Sequence, residues 1–169
     1  MIKQVSVIGP NKSACTPEIY SLGEQLGQEL AQRNFTIISG GMEGLMEAVF
    51  KGAHNYNPYR LGTTVGIIPF LEKKRANQYC DIVIPSGIGY ARNQMVVSSG
   101  DIVIAIGGGA GTLSEIAFAW QFNKKVICYK GFKGWSEKLA GKDLDNRKSS
   151  LLIAASSLEE ILNILDNER

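Results

Sequence analysis

The amino-acid sequence predicts a doubly wound α/β fold: a parallel sheet of about seven strands with helices on both faces. Three observations lead there. Short apolar runs rich in Ile and Val alternate along the chain with longer stretches whose apolar residues recur every three or four positions. Glycine-rich turns stand at the carboxyl ends of several of these runs, where strands of such a sheet hand over to helices. No linker, repeat array or low-complexity segment divides the 169 residues, so one domain over residues 1–169 is expected, large enough to bury a substantial core.

The first strand is Val5 to Ile8, inside a strand-like run that begins at Ile2. Thr16-Pro17-Glu18 is a helix start: a capping hydroxyl, a proline at the first helical position and an acid in the first turn. Ile19, Leu22, Leu26 and Leu30 form the apolar stripe of that helix, with Asn34 near its end. Phe35 to Ser39 is the second strand, and a helix follows to His54. Thr63 to Pro69 is the third strand, closed by its proline, and the polar segment from Phe70 to Tyr79 reads as a mobile loop. Asp81 to Pro85 is the fourth strand, followed by a helix from Tyr90 to Ser99. Asp101 to Ile106 is apolar enough for a strand buried on both faces. Behind it Leu113, Ile116, Ala117 and Trp120 repeat at helical spacing. Val126 to Lys130 and Leu151 to Ala155 are the sixth and seventh strands, and Leu158, Ile161, Leu162 and Leu165 mark a final helix.

Composition narrows the chemistry. With 44% hydrophobic and 20% charged residues the chain is ordinary for a globular protein. The net charge is only +2 and the densest basic run, Lys73 to Arg75, is short, so neither a nucleic-acid nor a membrane surface is expected. Cys15, Cys80 and Cys128 are scattered, with no CxxC pair, which argues against a disulfide framework or a zinc site and for a reducing compartment. A strand-like beginning and the lack of a membrane-length apolar run point to a cytoplasmic protein. His54 is the one histidine, a packing or surface residue near the end of its helix, and nothing in the sequence supplies it with partners for a metal site or a Ser/His triad.

In a doubly wound sheet the strand-to-helix turns share one rim, where ligands bind. The turns here are Gly9 to Ser13, Ser39 to Gly44, Pro85 to Asn93 and Gly107 to Thr112. The last, within GGGAGTLSE, is the most informative. Residues without a Cβ let the backbone approach a ligand, and free N–H groups at a helix start attract anions. Gly40, Gly41 and Gly44 in the second turn, and Gly107, Gly108, Gly109 and Gly111 in the fifth, read as two analogous phosphate cradles; tight helix–sheet packing would use the same residues. Arg92 is either a forked clamp on a phosphate or an exposed helix residue. Glu115 either faces the ligand or complements the helix dipole, and Thr112 either meets phosphate or caps the helix. Ser13, Lys12 and Ser39 are further polar candidates. The GxxxxGK[ST], GxGxxG and GxSxG motifs are absent.

GGGAGTLSE resembles the PGGxGTxxE signature of the Lonely-guy (LOG) proteins, long mislabelled lysine decarboxylases. SGGMEGLMEAV (Ser39 to Val49) is similar to their glycine-rich second turn, and ARNQMVVSSGDIVIAIGGG (Ala91 to Gly109) resembles their arginine-bearing helix and signature strand. The match runs from Val5 to Lys130. Within this superfamily the chain most resembles the molybdenum cofactor carrier proteins, by Gly107 in place of proline, by GTLSEIA (Gly111 to Ala117) and by the Arg92-Asn93 pair. That resemblance implies a Rossmann-like fold, a homodimer or homotetramer, and noncovalent binding of the phosphorylated pterin–molybdenum cofactor for storage and delivery. Enzymes that use or synthesise the cofactor are the implied partners. Ser13, Gly40, Gly41, Gly44, Arg92, Asn93, Gly107, Gly108, Gly109, Gly111, Thr112 and Glu115 are the implied cofactor-binding residues.

The LOG resemblance implies an alternative, a phosphoribohydrolase that splits the N-glycosidic bond of a nucleoside 5′-monophosphate. Arg92 and Glu115 would then be catalytic, the carboxylate stabilising an oxocarbenium-like transition state. Gly107 in place of proline is expected to loosen the turn and with it catalytic precision. A third reading, kinship with DNA-processing proteins, lacks the basic stripe it would need. Met95, Val96, Val97, Trp120 and Phe122 are either helix-to-helix subunit contacts or core.

Overall fold

The computed structural model describes residues 3–147 and 150–168. Its strands are β1 (Gln4–Ile8), β2 (Thr36–Ser39), β3 (Thr64–Ile68), β4 (Ile82–Pro85), β5 (Ile102–Ile106), β6 (Val126–Tyr129) and β7 (Leu152–Ala155). Its helices are α1 (Pro17–Gln32), α2 (Leu45–His54), α3 (Arg92–Ser99), α4 (Ala110–Gln121), α5 (Trp135–Leu139) and α6 (Leu158–Asn167). Every strand boundary falls within one residue of the expected one; Ile2, read as part of the run into the first strand, lies outside the described residues.

The strands form one sheet in the order β4-β3-β2-β1-β5-β6-β7, and every pairing is parallel. The chain builds outward from β1 to β4, returns through α3, and lays β5 to β7 on the other side. The order therefore reverses between β1 and β5, whose register runs from Val5 opposite Ile102 to Ile8 opposite Ala105. This is the Rossmann-like doubly wound arrangement, with its crevice at the carboxyl ends of those two strands.

Alternation along the strands divides the core in two. Ile102, Ile104 and Ile106 of β5 pack with α1, α2 and α6 on one face, while Val103 and Ala105 pack with α3 and α4 on the other. Helix α1 starts as expected: Pro17 opens it and the Thr16 hydroxyl accepts the Ile19 N–H at 3.4 Å. Ser157 caps α6 by accepting the Glu160 N–H at 3.1 Å, and the Glu160 carboxylate accepts the N–H of Ser156, the residue before the cap, at 2.6 Å.

Several expectations need correction. In α4 the buried stripe is Thr112, Glu115, Ile116, Ala119 and Trp120, whereas Leu113 is half-buried and Ala117 exposed. The core side of this helix thus carries two polar residues at its start, which an apolar-period reading passes over. The segment after β3 is not free: it forms a short 3-10 turn (Lys73–Arg75), and Asn77 ties it to the second glycine turn through its N–H to the Gly41 carbonyl (2.9 Å) and its side-chain amide to the Met42 carbonyl (2.8 Å). The five-residue α5 was unforeseen, being too short to show a period. Val96, Val97 and Trp120 are core, Met95 packs at its margin, and Phe122 is exposed beside Phe118. His54 packs on Tyr59 at 4.2 Å and meets the Tyr79 carbonyl and Asp81, at the amino ends of β3 and β4. Among the described residues no helix is long and apolar enough to cross a membrane.

Candidate functional site

Four turns meet at the rim. Gly9, directly after β1, lies against the Ile106 carbonyl at the end of β5, and the Pro10 carbonyl accepts the Leu45 N–H at the start of α2 (3.1 Å). The turns after β1, β2 and β5 are thereby locked together. The fourth, after β4, delivers Arg92 into them.

Arg92 opens α3 and crosses to the second glycine turn. Its guanidinium occupies the space a Cβ on Gly40 would need, with the Met46 thioether beside it. Only 9% of the residue is exposed, so the exposed-helix reading is set aside. Nη1 donates to the side-chain oxygen Oδ1 of Asn93 and lies 3.8 Å from Glu115 Oε1. Nε is buried and meets no acceptor among the described residues. Burial lowers the pKa of this guanidinium, and Glu115 and Tyr90 push it back up.

Glu115 stands one turn into α4 and is itself 6% exposed. It faces Arg92 and does not lie on the solvent side where a dipole-complementing acid would sit. Burial pushes its carboxyl up to about 8, against the opposing pull of Arg92, so it holds a proton at neutral pH. Asn93 is engaged at both ends: its oxygen takes the Arg92 bond, and its nitrogen donates to Ser114 Oγ at 3.0 Å. It ties the guanidinium to the first turn of α4.

The two glycine turns are not equivalent. Gly40, Gly41 and Gly44 are buried: Arg92 covers Gly40, and Gly44 is wedged against the Asn11–Lys12 backbone. That turn is a seat for protein groups. The turn after β5 is the open one, with Gly109 and Gly111 exposed and Gly108 half-exposed. Gly108 has φ +86°, and a Cβ there would overlap the Thr112 side chain, which is buried. The N–H groups of Ala110, Gly111 and Thr112 begin α4 and have no helical acceptor. They give the turn a positive end.

Gly107 has φ +55°, a conformation closed to proline. The loosening expected of this turn is not what its bonds show. The Gly107 carbonyl accepts the Ser136 N–H and the Gly108 carbonyl accepts the Trp135 N–H, both at 3.0 Å. Gly134 packs directly on Gly107, and Ser136 Oγ donates into the Ala105 carbonyl (2.6 Å) and Tyr129 carbonyl (2.8 Å) at the ends of β5 and β6. Gly134 and Ser136 are the residues the sequence reading missed; the strand-glycine-helix spacing of KGWSE, weakly like the other turns, was their only signal.

The remaining candidates are bonded to groups other than Arg92. Ser13 is exposed and bonds Asn11 (2.8 Å), and Lys12 pairs with Glu43 at 2.7 Å. Ser39 is buried and donates to the Val7 carbonyl at 2.7 Å, joining β2 to β1.

This geometry has relatives. The molybdenum cofactor binding protein of Rippkaea orientalis superposes with a TM-score of 0.85 at 32% identity, covering 99% of this chain and 98% of that one. The molybdenum cofactor carrier protein of Chlamydomonas reinhardtii does so with a TM-score of 0.82 at 25% identity, covering 98% and 97%. A cytokinin riboside 5′-monophosphate phosphoribohydrolase of Mycobacterium marinum is 25% identical over 162 residues, 86% of this chain and 84% of its own length. The SLOG cluster4 family model matches residues 2–162, nearly the whole chain and all four rim turns, and the chain belongs to that family.

Proposed function

We propose that the protein holds and protects a phosphorylated pterin cofactor, the molybdenum cofactor, for storage and delivery. The observation that carries this is Arg92: a buried guanidinium with a partnerless Nε, beside the open amides that begin α4. Burying a cation whose Nε has no acceptor is costly, and an anion entering the crevice would repay it. Arg92 and the amides of Ala110 to Thr112 would hold the anionic groups of the cargo, with protonated Glu115 adding a donor instead of a repelling charge. A molybdenum cofactor binding protein of similar structure at 32% identity and a molybdenum cofactor carrier protein at 25% support this cargo. The carrier would act in the cytoplasm as a homodimer or homotetramer and hand its cargo to cofactor-using enzymes. Native mass spectrometry of protein taken from a cofactor-replete host tests this, expecting the mass of one cofactor per subunit and reporting subunit number. Purified protein that neither carries the cofactor nor slows its oxidation overturns it.

A second reading, hydrolysis of a nucleoside 5′-monophosphate, is favoured by one observation. Glu115, a buried and protonated carboxyl 3.8 Å from Arg92, suits an acid that donates to a departing base. Release of free adenine from AMP that disappears in Glu115→Ala supports it; no release at all, with AMP bound, leaves the carrier.

A further inference from the structure

The turn that brings Arg92 into the rim also displays an aromatic ring. Between β4 and α3 lies a 3-10 turn, Gly89–Ala91, held firmly to the end of β3. The Gly89 N–H donates to the Pro69 carbonyl at 3.1 Å, and the Ser86 N–H and hydroxyl both reach the Ile68 carbonyl, at 3.0 and 2.8 Å. Gly87 and Gly89 take left-handed φ values of +68° and +58°, and Leu71 packs onto Gly87. Upon this fixed support Tyr90 is 91% exposed, the most exposed large apolar side chain among the described residues. Ile88 and Leu71 beside it are also exposed.

A single tyrosine in water is unremarked on most surfaces. This one is distinguished by where its backbone is pinned. It stands two residues before Arg92, so their Cα atoms are within about 7 Å, and its phenol is within electrostatic reach of the guanidinium. A ring held there and an anion held at Arg92 would be joined by a link of sugar or short-chain length.

We propose that Tyr90, with Ile88 at its side, is the platform on which the planar heteroaromatic ring of the ligand stacks, making this turn the element that selects ring-bearing phosphate esters over simple phosphates. Stacking on a π-face tolerates pterins and purines alike, because every fused heteroaromatic ring presents one. The inference rests on the anion site proposed above.

The test uses neopterin 3′-monophosphate, followed by pterin fluorescence anisotropy, and ribose 5-phosphate, followed by calorimetry, on the intact protein. Tyr90→Ala should weaken neopterin monophosphate roughly 5- to 100-fold and leave ribose 5-phosphate within twofold of wild type. Tyr90→Phe should restore the pterin affinity. Equal affinities of Tyr90→Ala and wild type for the pterin, or equal losses for both ligands, overturn the platform while leaving the anion site intact. A changed subunit number in Tyr90→Ala without changed discrimination also overturns it, reassigning the residue to a subunit contact. If Arg92→Met binds both phosphates as wild type does, the anion site itself fails and the platform with it.

Discussion

The guanidinium of Arg92 fills the place a side chain on Gly40 would take, although the two residues are separated by two strands and a crossover. Gly40 is therefore a seat for the cation, and any Cβ there would push Arg92 toward solvent. The pairing turns one glycine motif into support and leaves the other, after β5, open.

Arg92→Met tests what that buried cation is for. Affinity for a phosphate ligand should fall at least tenfold, since hydrogen bonds from a charged donor contribute about 1.5–3 kcal/mol. Thermal stability of the ligand-free protein should hold or rise, because a buried, incompletely bonded charge is replaced by an apolar chain of similar length. Calorimetry and thermal denaturation on the same samples read both quantities. A fall in stability without loss of affinity would make Arg92 a structural residue.

Glu115 should give the free protein a pH signature. Its carboxyl is raised from 4.5 to about 8 in the folded state, so between those values the folded chain keeps a proton the unfolded chain has lost. Its contribution is fully present below pH 4.5 and is lost as pH rises through about 8, at up to about 1.4 kcal/mol per pH unit. Above pH 8 the ionised carboxylate should also repel an anionic ligand. Glu115→Gln should flatten both dependences, as measured by urea titrations and ligand affinity from pH 5 to 9.

Gly108→Ala should damage fold and site together. The φ of +86° is strained for alanine, and the new Cβ would overlap buried Thr112. A loss of about 1–3 kcal/mol is expected, with phosphate affinity reduced beyond what unfolding explains, seen by comparing denaturation midpoints with binding isotherms.

Asp81→Asn is the contrasting case, at the opposite end of the sheet. Asp81 accepts from the Tyr59 hydroxyl (2.6 Å) and the Gly62 N–H (2.8 Å), with His54 Nε2 at 3.3 Å. Replacing one oxygen with an amide should cost about 1–3 kcal/mol in denaturant midpoint while leaving ligand affinity unchanged.

Much of this was legible in the residues. The apolar runs located the strands, most plainly β5, because a parallel strand buried on both faces is nearly all aliphatic. GGGAGT marked the glycine turn after β5 because its conformation is encoded locally. What escaped was long-range. No spacing tells that Arg92 will rest on Gly40, or that Gly40 to Gly44 will be covered while Gly108 to Gly111 stays open. The support given by Ser136 was equally hidden, since it depends on β6 lying beside β5.

Gly107 carries a consequence for what its neighbours allow. At φ +55°, braced by Gly134 and Ser136, its backbone is one that the proline of the hydrolase-type signature cannot enter. A lone codon change from glycine to proline would break this loop before it could yield the other signature. A proline here could be housed only if the segment around residues 134–136, which packs on Gly107 and donates to its carbonyl, were rebuilt with it.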